Sequence, residues 1–106
     1  MNFAPHHLYH VYNQGNNRQQ IFNNDCDYET FLNTAVKSLC ECSSIVAYCL
    51  MPNHFHFMVG TDDRIDEKEQ QGGLLLDPLT NTFRRLLSGY ARVFNQRYER
   101  SGSVFR

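Results

Sequence analysis

The amino-terminal part of the chain alternates apolar and polar side chains. Over residues 8–13 the even positions, including His10, fall on one side of an extended chain, and Tyr9 and Val11 fall on the other. A period of two residues is typical of a β-strand with one buried face. Turn-forming residues at positions 13–17 predict the end of this strand.

Two later segments repeat their apolar residues every three to four positions, which is the spacing of one face of an α-helix. In the first segment the apolar stripe runs from Tyr28 to Leu39. We expect Asp25 or Asp27 to cap this helix, because both suit the positive end of the helix dipole.

The second helix is predicted to begin with Asp77 as its cap and Pro78 in its first turn. It should end near Arg97 or Arg100. The apolar stripe of this helix consists of Leu79, Phe83, Leu86, Leu87, Tyr90 and Phe94.

Between the helices the pattern predicts an antiparallel hairpin. Residues 45–51 are rich in β-branched and aromatic side chains, Pro52 and Asn53 form a turn, and residues 54–60 alternate again. Phe55, Phe57, Val59 and Tyr48 are expected in the core.

The charged segment 62–77 is predicted to be a flexible acidic loop, and residues 104–106 resemble the start of a further strand. The order β-α-β-β-α indicates an α+β fold with one antiparallel sheet and two helices.

The chain has 106 residues and a mass of 12.4 kDa, which predicts one domain over residues 1–106. No apolar run is long enough for a transmembrane helix, and no secretory signal is visible at the start. We therefore expect a cytoplasmic protein without a membrane partner.

The net charge of -1 hides an uneven distribution. Residues 79–106 hold six arginines and one acidic residue, which predicts a phosphate partner, because guanidinium groups match phosphate oxygens. A solvated helix face would give the same charge pattern. The candidate DNA contacts are Arg84, Arg85, Arg92, Arg97 and Arg100, of which Arg85 and Arg92 are seven residues apart and share a helix face.

The four cysteines do not have the spacing of a zinc site. They are Cys26, Cys40, Cys42 and Cys49, with no CxxC pair. We expect reduced, mostly buried thiols.

His54 and His56 are the strongest candidates for chemistry. Two residues apart on a strand, they share a face, and two imidazoles at that spacing can lean toward one divalent cation. A third ligand has to come from elsewhere. His6, His7 and His10 have no partner that spacing identifies and are expected at the surface.

Residues 47–59, with Met51-Pro52-Asn53-His54-Phe55-His56 at their centre, closely resemble the core signature of the HUH single-tyrosine transposases. These are the enzymes of short insertion sequences and the REP-associated tyrosine transposases. Segments around Tyr9, Phe31 and Tyr90 resemble the family's first strand and its two helices, so the resemblance covers nearly the whole chain.

The resemblance implies a ferredoxin-like or RRM-like core and a role in DNA transposition. It implies binding of single-stranded or hairpin DNA, with Mg²⁺ or Mn²⁺ held by His54 and His56. In the family a tyrosine attacks the scissile phosphate and forms a 5′-phosphotyrosine intermediate, which is later resealed. Insertion-sequence members are dimers and REP-associated members are often monomers, so a homodimer stays open.

Two departures from the family pattern matter. The family's nucleophilic tyrosine lies on a helix that follows a further strand, which would place it beyond Arg106; we therefore expect the last strand and helix to be missing and this chain alone to be inactive. Tyr90 and Tyr98 match positions on the second helix, and Tyr98 is the one alternative candidate for the nucleophile. Gln14 stands where members often have an arginine.

Two other functions remain open. One is a non-catalytic nucleic-acid-binding remnant of such a transposase. The other is an unrelated metallohydrolase that uses the histidine pair with Asp62 or Asp63, which is disfavoured because these acids follow the end of the strand.

Overall fold

The computed structural model describes residues 2–67, 69–71 and 74–106. Seven helices and strands follow one another in these segments. In chain order they are β1 (Leu8–Gln14), α1 (Asp25–Leu39), β2 (Ser44–Met51), β3 (His54–Gly60), β4 (Glu69–Gln71), β5 (Leu74–Leu76) and α2 (Pro78–Arg97), with short 3-10 turns at Asn16–Arg18 and Asp63–Asp66.

The main sheet has three antiparallel strands in the order β1-β3-β2. β2 and β3 form the predicted hairpin around Pro52 and Asn53, and β1 adds to the other edge of β3. In this register Tyr12 lies opposite His56 and His10 opposite Met58. The histidine pair therefore lies on the central strand, between β1 and β2. The predicted α+β fold is confirmed.

The end of the chain lies beside β1. Gly15 pairs with Phe105 in an antiparallel bridge, and the backbone N–H of Arg106 donates to the carbonyl of Gln14 at 2.9 Å. Gly15 also donates to the carbonyl of Asn53, which ties the end of β1 to the hairpin turn. A Cβ at Gly15 would lie 2.1 Å from the carbonyl oxygen of Gln19, so this close approach requires glycine. The predicted start of a further strand is thus present as a single bridge.

Both helices cover the same face of the sheet. Phe55, Phe57 and Val59 of β3 are buried, and the Phe31 ring of α1 lies 5.2 Å from that of Phe55. From α2, the Phe83 ring lies 6.3 Å from that of Phe57. The alternation of β3 therefore leaves its histidine side on the face that neither helix covers.

The helix ends follow local capping chemistry. Asp77 accepts from the backbone N–H of Thr80, with Pro78 in the first turn, as predicted. The prediction that Asp25 or Asp27 caps α1 is wrong: the side chain of Asn24 is the cap, and it accepts from the N–H of Asp27. Asn24 is one residue further out and has the extended backbone that a cap needs.

Two further expectations, for Tyr48 and for the cysteines, need correction. Tyr48 lies opposite buried Phe57, yet it is 52% exposed, because β2 is an edge strand of the sheet. Within segment 62–77, whose flexibility stays a prediction, Ile65 of the 3-10 turn is buried and β4 pairs with β5. All four cysteines are free, yet only Cys42 is buried.

No helix within the described residues has the length and apolarity to cross a membrane.

Candidate metal and nucleic-acid site

His54 and His56 lie side by side on the open face of β3. Their ring centroids are 5.0 Å apart, and the ring planes are nearly perpendicular, at 88°. Phe55 between them is fully buried in the core. Burial of Phe55 thus fixes the strand against the core, and the alternation of side chains directs both imidazoles away from the helices.

Each of the two imidazoles has a hydrogen-bond partner at its Nδ1 atom. His54 Nδ1 lies 2.8 Å from Oδ1 of Asn53, and His56 Nδ1 lies 2.8 Å from Nε2 of His10. His10 is exposed, as expected, and its partner is one that sequence spacing did not identify. The pairing of β1 with β3 places His10 diagonally next to His56, and a single sequence does not reveal which strand β1 joins.

A groove of about 740 Å³ surrounds the histidine pair. Tyr12 is 66% exposed at its edge, with its ring 5.8 Å from that of His56. The groove residues are Tyr12, Asn13, Gln14, His54, His56 and Arg106. Gln14, where the family often has arginine, therefore shares the groove with the guanidinium-bearing Arg106. Sequence analysis missed Tyr12 and Arg106 as site residues, although their types, aromatic and cationic, suit a nucleic acid.

Imidazole binds a cation in its neutral form, and the surroundings of His56 favour that form. Desolvation, and then the like charges of His54 and His10, lower the pKa of His56 below the usual 6.5. Within residues 2–67, 69–71 and 74–106 no group of three or more His, Cys, Asp or Glu is arranged to hold a metal. The donor set fits a cation that takes two imidazoles and completes its shell with water or phosphate oxygens. Mn²⁺ accepts such a mixed set more readily than Mg²⁺, which prefers oxygen.

The predicted arginine contacts divide into two groups. Arg84, Arg85 and Arg92 line a second groove of about 500 Å³ on α2, together with Asn81, Ser88 and Gly89. Because α2 covers the buried face of the sheet, this arginine groove lies on the helical side of the molecule. The histidine groove lies on the opposite, open side.

Arg97 and Arg100 are held by other side chains. Arg97 forms an ion pair with the fully buried carboxylate of Asp27. Arg100 donates to Asn95 and Gln19, and its guanidinium lies 5.6 Å from the centre of the Phe94 ring. Both therefore have structural partners within the chain, which the charge count alone does not reveal.

Tyr98 is also bound to Asp27. Its hydroxyl donates to Oδ2 of that carboxylate at 2.5 Å. This hydrogen bond, with desolvation and the negative charge of Asp27, raises the pKa of Tyr98 above 10.0. Tyr98 is not among the residues that line the histidine groove. The environment of this hydroxyl opposes its use as a nucleophile.

The two acids of the metallohydrolase hypothesis have partners of their own. Asp62 accepts from the backbone and the guanidinium of Arg64, and Asp63 lies 2.9 Å from Nε2 of His6. Neither lines the histidine groove. The geometry thus brings no acid of this pair to His54 and His56.

Residues 4–69 match the family described as "Transposase IS200 like". The matched segment contains β1, α1, β2 and β3, and with them both histidines and their hydrogen-bond partners. No curated protein and no solved structure matches the chain. Since the family match covers more than half of the chain, and includes the hairpin that presents His54 and His56, this protein belongs to the IS200-like transposases.

Proposed function

We propose that this domain binds single-stranded or hairpin DNA during transposition and holds Mn²⁺ or Mg²⁺ on His54 and His56. The observation that carries the proposal is the placement of two adjacent imidazoles in an open groove of a transposase fold. In the complete family the corresponding chemistry is cleavage and rejoining through a 5′-phosphotyrosine.

The groove residues have complementary roles in this proposal. His54 and His56 would hold the cation, which supplies charge stabilisation to a phosphate and its leaving oxygen. Tyr12 offers an exposed ring on which a base can stack, and Arg106 offers a guanidinium fork for a phosphate. A single strand, with bases and phosphates both accessible, meets these groups more easily than a duplex does.

Metal binding is tested by titrating Mn²⁺ into the chain and following the loss of the free-ion paramagnetic resonance signal. We expect weak binding, because the described residues supply two imidazoles and no third ligand of the usual kinds. The double variant His54→Ala, His56→Ala should lose this binding.

The matched control is His7→Ala, which also removes an imidazole; the His7 ring contacts the Pro5 carbonyl and lies outside the groove. It should bind Mn²⁺ as the unmodified chain does. Equal binding by the double variant would exclude the histidine pair as the metal site.

DNA binding through the arginine groove predicts a strong dependence on salt. Each phosphate contact that is lost should reduce the slope of log K against log salt by about 0.7 for a single strand. The double variant Arg85→Ala, Arg92→Ala should therefore reduce the slope by about 1.4, as measured by fluorescence anisotropy with a labelled single strand.

The control is Arg85→Lys, Arg92→Lys, which keeps both charges and should keep the slope. A hairpin and a blunt duplex of the same composition test the preferred DNA form. An unchanged slope in the alanine variant would remove the arginine groove from the DNA interface, and equal affinity for the duplex would contradict the single-strand preference.

A second candidate function is a non-catalytic nucleic-acid-binding module. The hydrogen bond that occupies the hydroxyl of Tyr98 favours it, because that tyrosine is then a structural residue. Under either function DNA is the expected partner. Dimer formation and a cytoplasmic location stay predictions.

A further inference from the structure

We propose that His10 and Asn53 are positioning residues that fix the proton on Nδ1 of His56 and His54, which leaves both Nε2 atoms as lone-pair donors. This inference rests on the proposed function, because it assumes that a cation binds in the groove. The hydrogen bonds from which it is argued are present in the chain without metal.

The proton position on His54 follows from the chemistry of its partner. Oδ1 of Asn53 is an amide oxygen and only accepts, so His54 Nδ1, 2.8 Å away, has to donate. Neutral imidazole has one N–H. Nε2 of His54 is then unprotonated and free to bind a cation.

The contact of His56 allows two arrangements. Either His56 Nδ1 donates to Nε2 of His10, or Nε2 of His10 donates to His56 Nδ1. Only the first leaves a lone pair on Nε2 of His56, a residue that lines the groove. A neutral histidine without a partner carries its proton mainly on Nε2, so ligation needs a group that draws the proton to Nδ1. His10 is the group at that position.

The fold supports this role for His10 through neighbours on both strands. The strand pairing places His10 opposite Met58 and Tyr12 opposite His56. The ring of His10 lies 4.9 Å from that of His56 and 5.0 Å from that of Tyr12. The two strands thus hold donor and acceptor at hydrogen-bond distance before any ion binds.

The first measurement is long-range ¹H–¹⁵N NMR of the histidine side chains in metal-free protein, at about pH 8, where an ordinary histidine is neutral. We expect the proton of His56 on Nδ1. In His10→Ala it should move to Nε2, while His54 keeps its own tautomer. In Asn53→Ala the change should appear at His54 and leave His56 as it was.

The second measurement is Mn²⁺ affinity. Loss of such an orienting partner usually weakens a metal site by about 10–100-fold, so we expect a reduction of at least about 10-fold in His10→Ala. His10→Gln keeps an acceptor oxygen and should recover most of the affinity that His10→Ala loses. A merely structural effect would not be rescued in this selective way, and circular dichroism checks that each variant is folded.

The two levels of the proposal fail differently. Absence of Mn²⁺ binding in the unmodified chain would overturn the proposed function, whereas the NMR result would still decide the tautomers. A proton on Nε2 of His56 in the unmodified chain, or unchanged Mn²⁺ affinity in His10→Ala, would overturn the role of His10. An unshifted His54 tautomer in Asn53→Ala would overturn that of Asn53.

Discussion

Replacement of Asp27 by Asn should lower the free energy of unfolding by about 2–3 kcal/mol at pH 7. The carboxylate is fully buried and accepts from the N–H of Asn23, the hydroxyl of Tyr98 and the guanidinium of Arg97. Asparagine keeps one acceptor and adds a donor, so at least one of these groups loses its partner. The side chain of Arg97 is 31% exposed and can turn to water, which keeps the loss below that of a wholly buried pair.

The effect should depend on pH in a defined direction. Burial by itself raises the pKa of Asp27, but the hydrogen bonds from Tyr98, Asn23 and Arg97 outweigh it, and the pKa in the folded chain lies below 3.8. A lowered pKa contributes stability above the unfolded value, and this stability disappears as the pH falls through the folded value. The difference in the free energy of unfolding between the unmodified chain and Asp27→Asn should therefore become smaller below about pH 4.

Urea unfolding at pH 7 and pH 3 measures both effects. Asp25→Asn is the matched control, because Asp25 lies exposed in the same first turn and should cost at most about 1 kcal/mol through the helix dipole. A variant Asp27→Asn as stable as the unmodified chain, or a gap that is the same at both pH values, would contradict the role assigned to this carboxylate.

The features that the sequence predicts well are those that local periodicity determines. The alternation over residues 54–60 places His54 and His56 on one face, because a strand has no other way to bury Phe55 and Phe57 together. The cap formed by Asp77 and Pro78 depends on residues within one helical turn, and it is also found as expected.

The features that the sequence does not reveal depend on pairing over long distances. The contact between His10 and His56 requires the register of β1 on β3, across 46 residues. The ion pair between Asp27, expected as a helix cap, and Arg97, expected as a DNA contact, spans 70 residues and links the two helices. The exposure of Tyr48 depends on its strand being at the edge of the sheet. None of these is encoded in a single window of sequence.

Incubation of the 106-residue chain with single-stranded DNA and Mn²⁺ should yield no covalent protein–DNA adduct. A nucleophilic tyrosine needs a free hydroxyl held about 3–3.5 Å from the phosphorus atom. Tyr90 is buried and donates to the carbonyl of Ile21, and the hydroxyl of Tyr9 accepts from the backbone N–H of Ala4. Tyr98 is held by Asp27, and its raised pKa leaves it a poorer nucleophile than an ordinary tyrosine.

Tyr12 is the tyrosine whose position could most readily allow attack on DNA bound in the groove. It is exposed and lines the histidine groove, whereas Tyr98 does not line it. The ring of Tyr12 lies beside those of His10 and His56 on the same face of the sheet, which suits stacking on a base. Nucleophilic attack would instead require its hydroxyl to point at a phosphate bound in the groove. We therefore expect Tyr12→Phe to keep DNA binding, since phenylalanine stacks equally well, and Tyr12→Ala to weaken it by about 1–3 kcal/mol.

A denaturing gel with end-labelled DNA separates the outcomes. The unmodified chain, Tyr12→Phe and Tyr98→Phe should all show free DNA alone, whatever their affinity in a native binding assay. A shifted band that disappears in Tyr98→Phe would contradict the structural role given to that hydroxyl and identify it as the nucleophile. A band that disappears in Tyr12→Phe would identify a nucleophile on β1, directly beside the histidine pair, and would show that this chain cleaves DNA on its own.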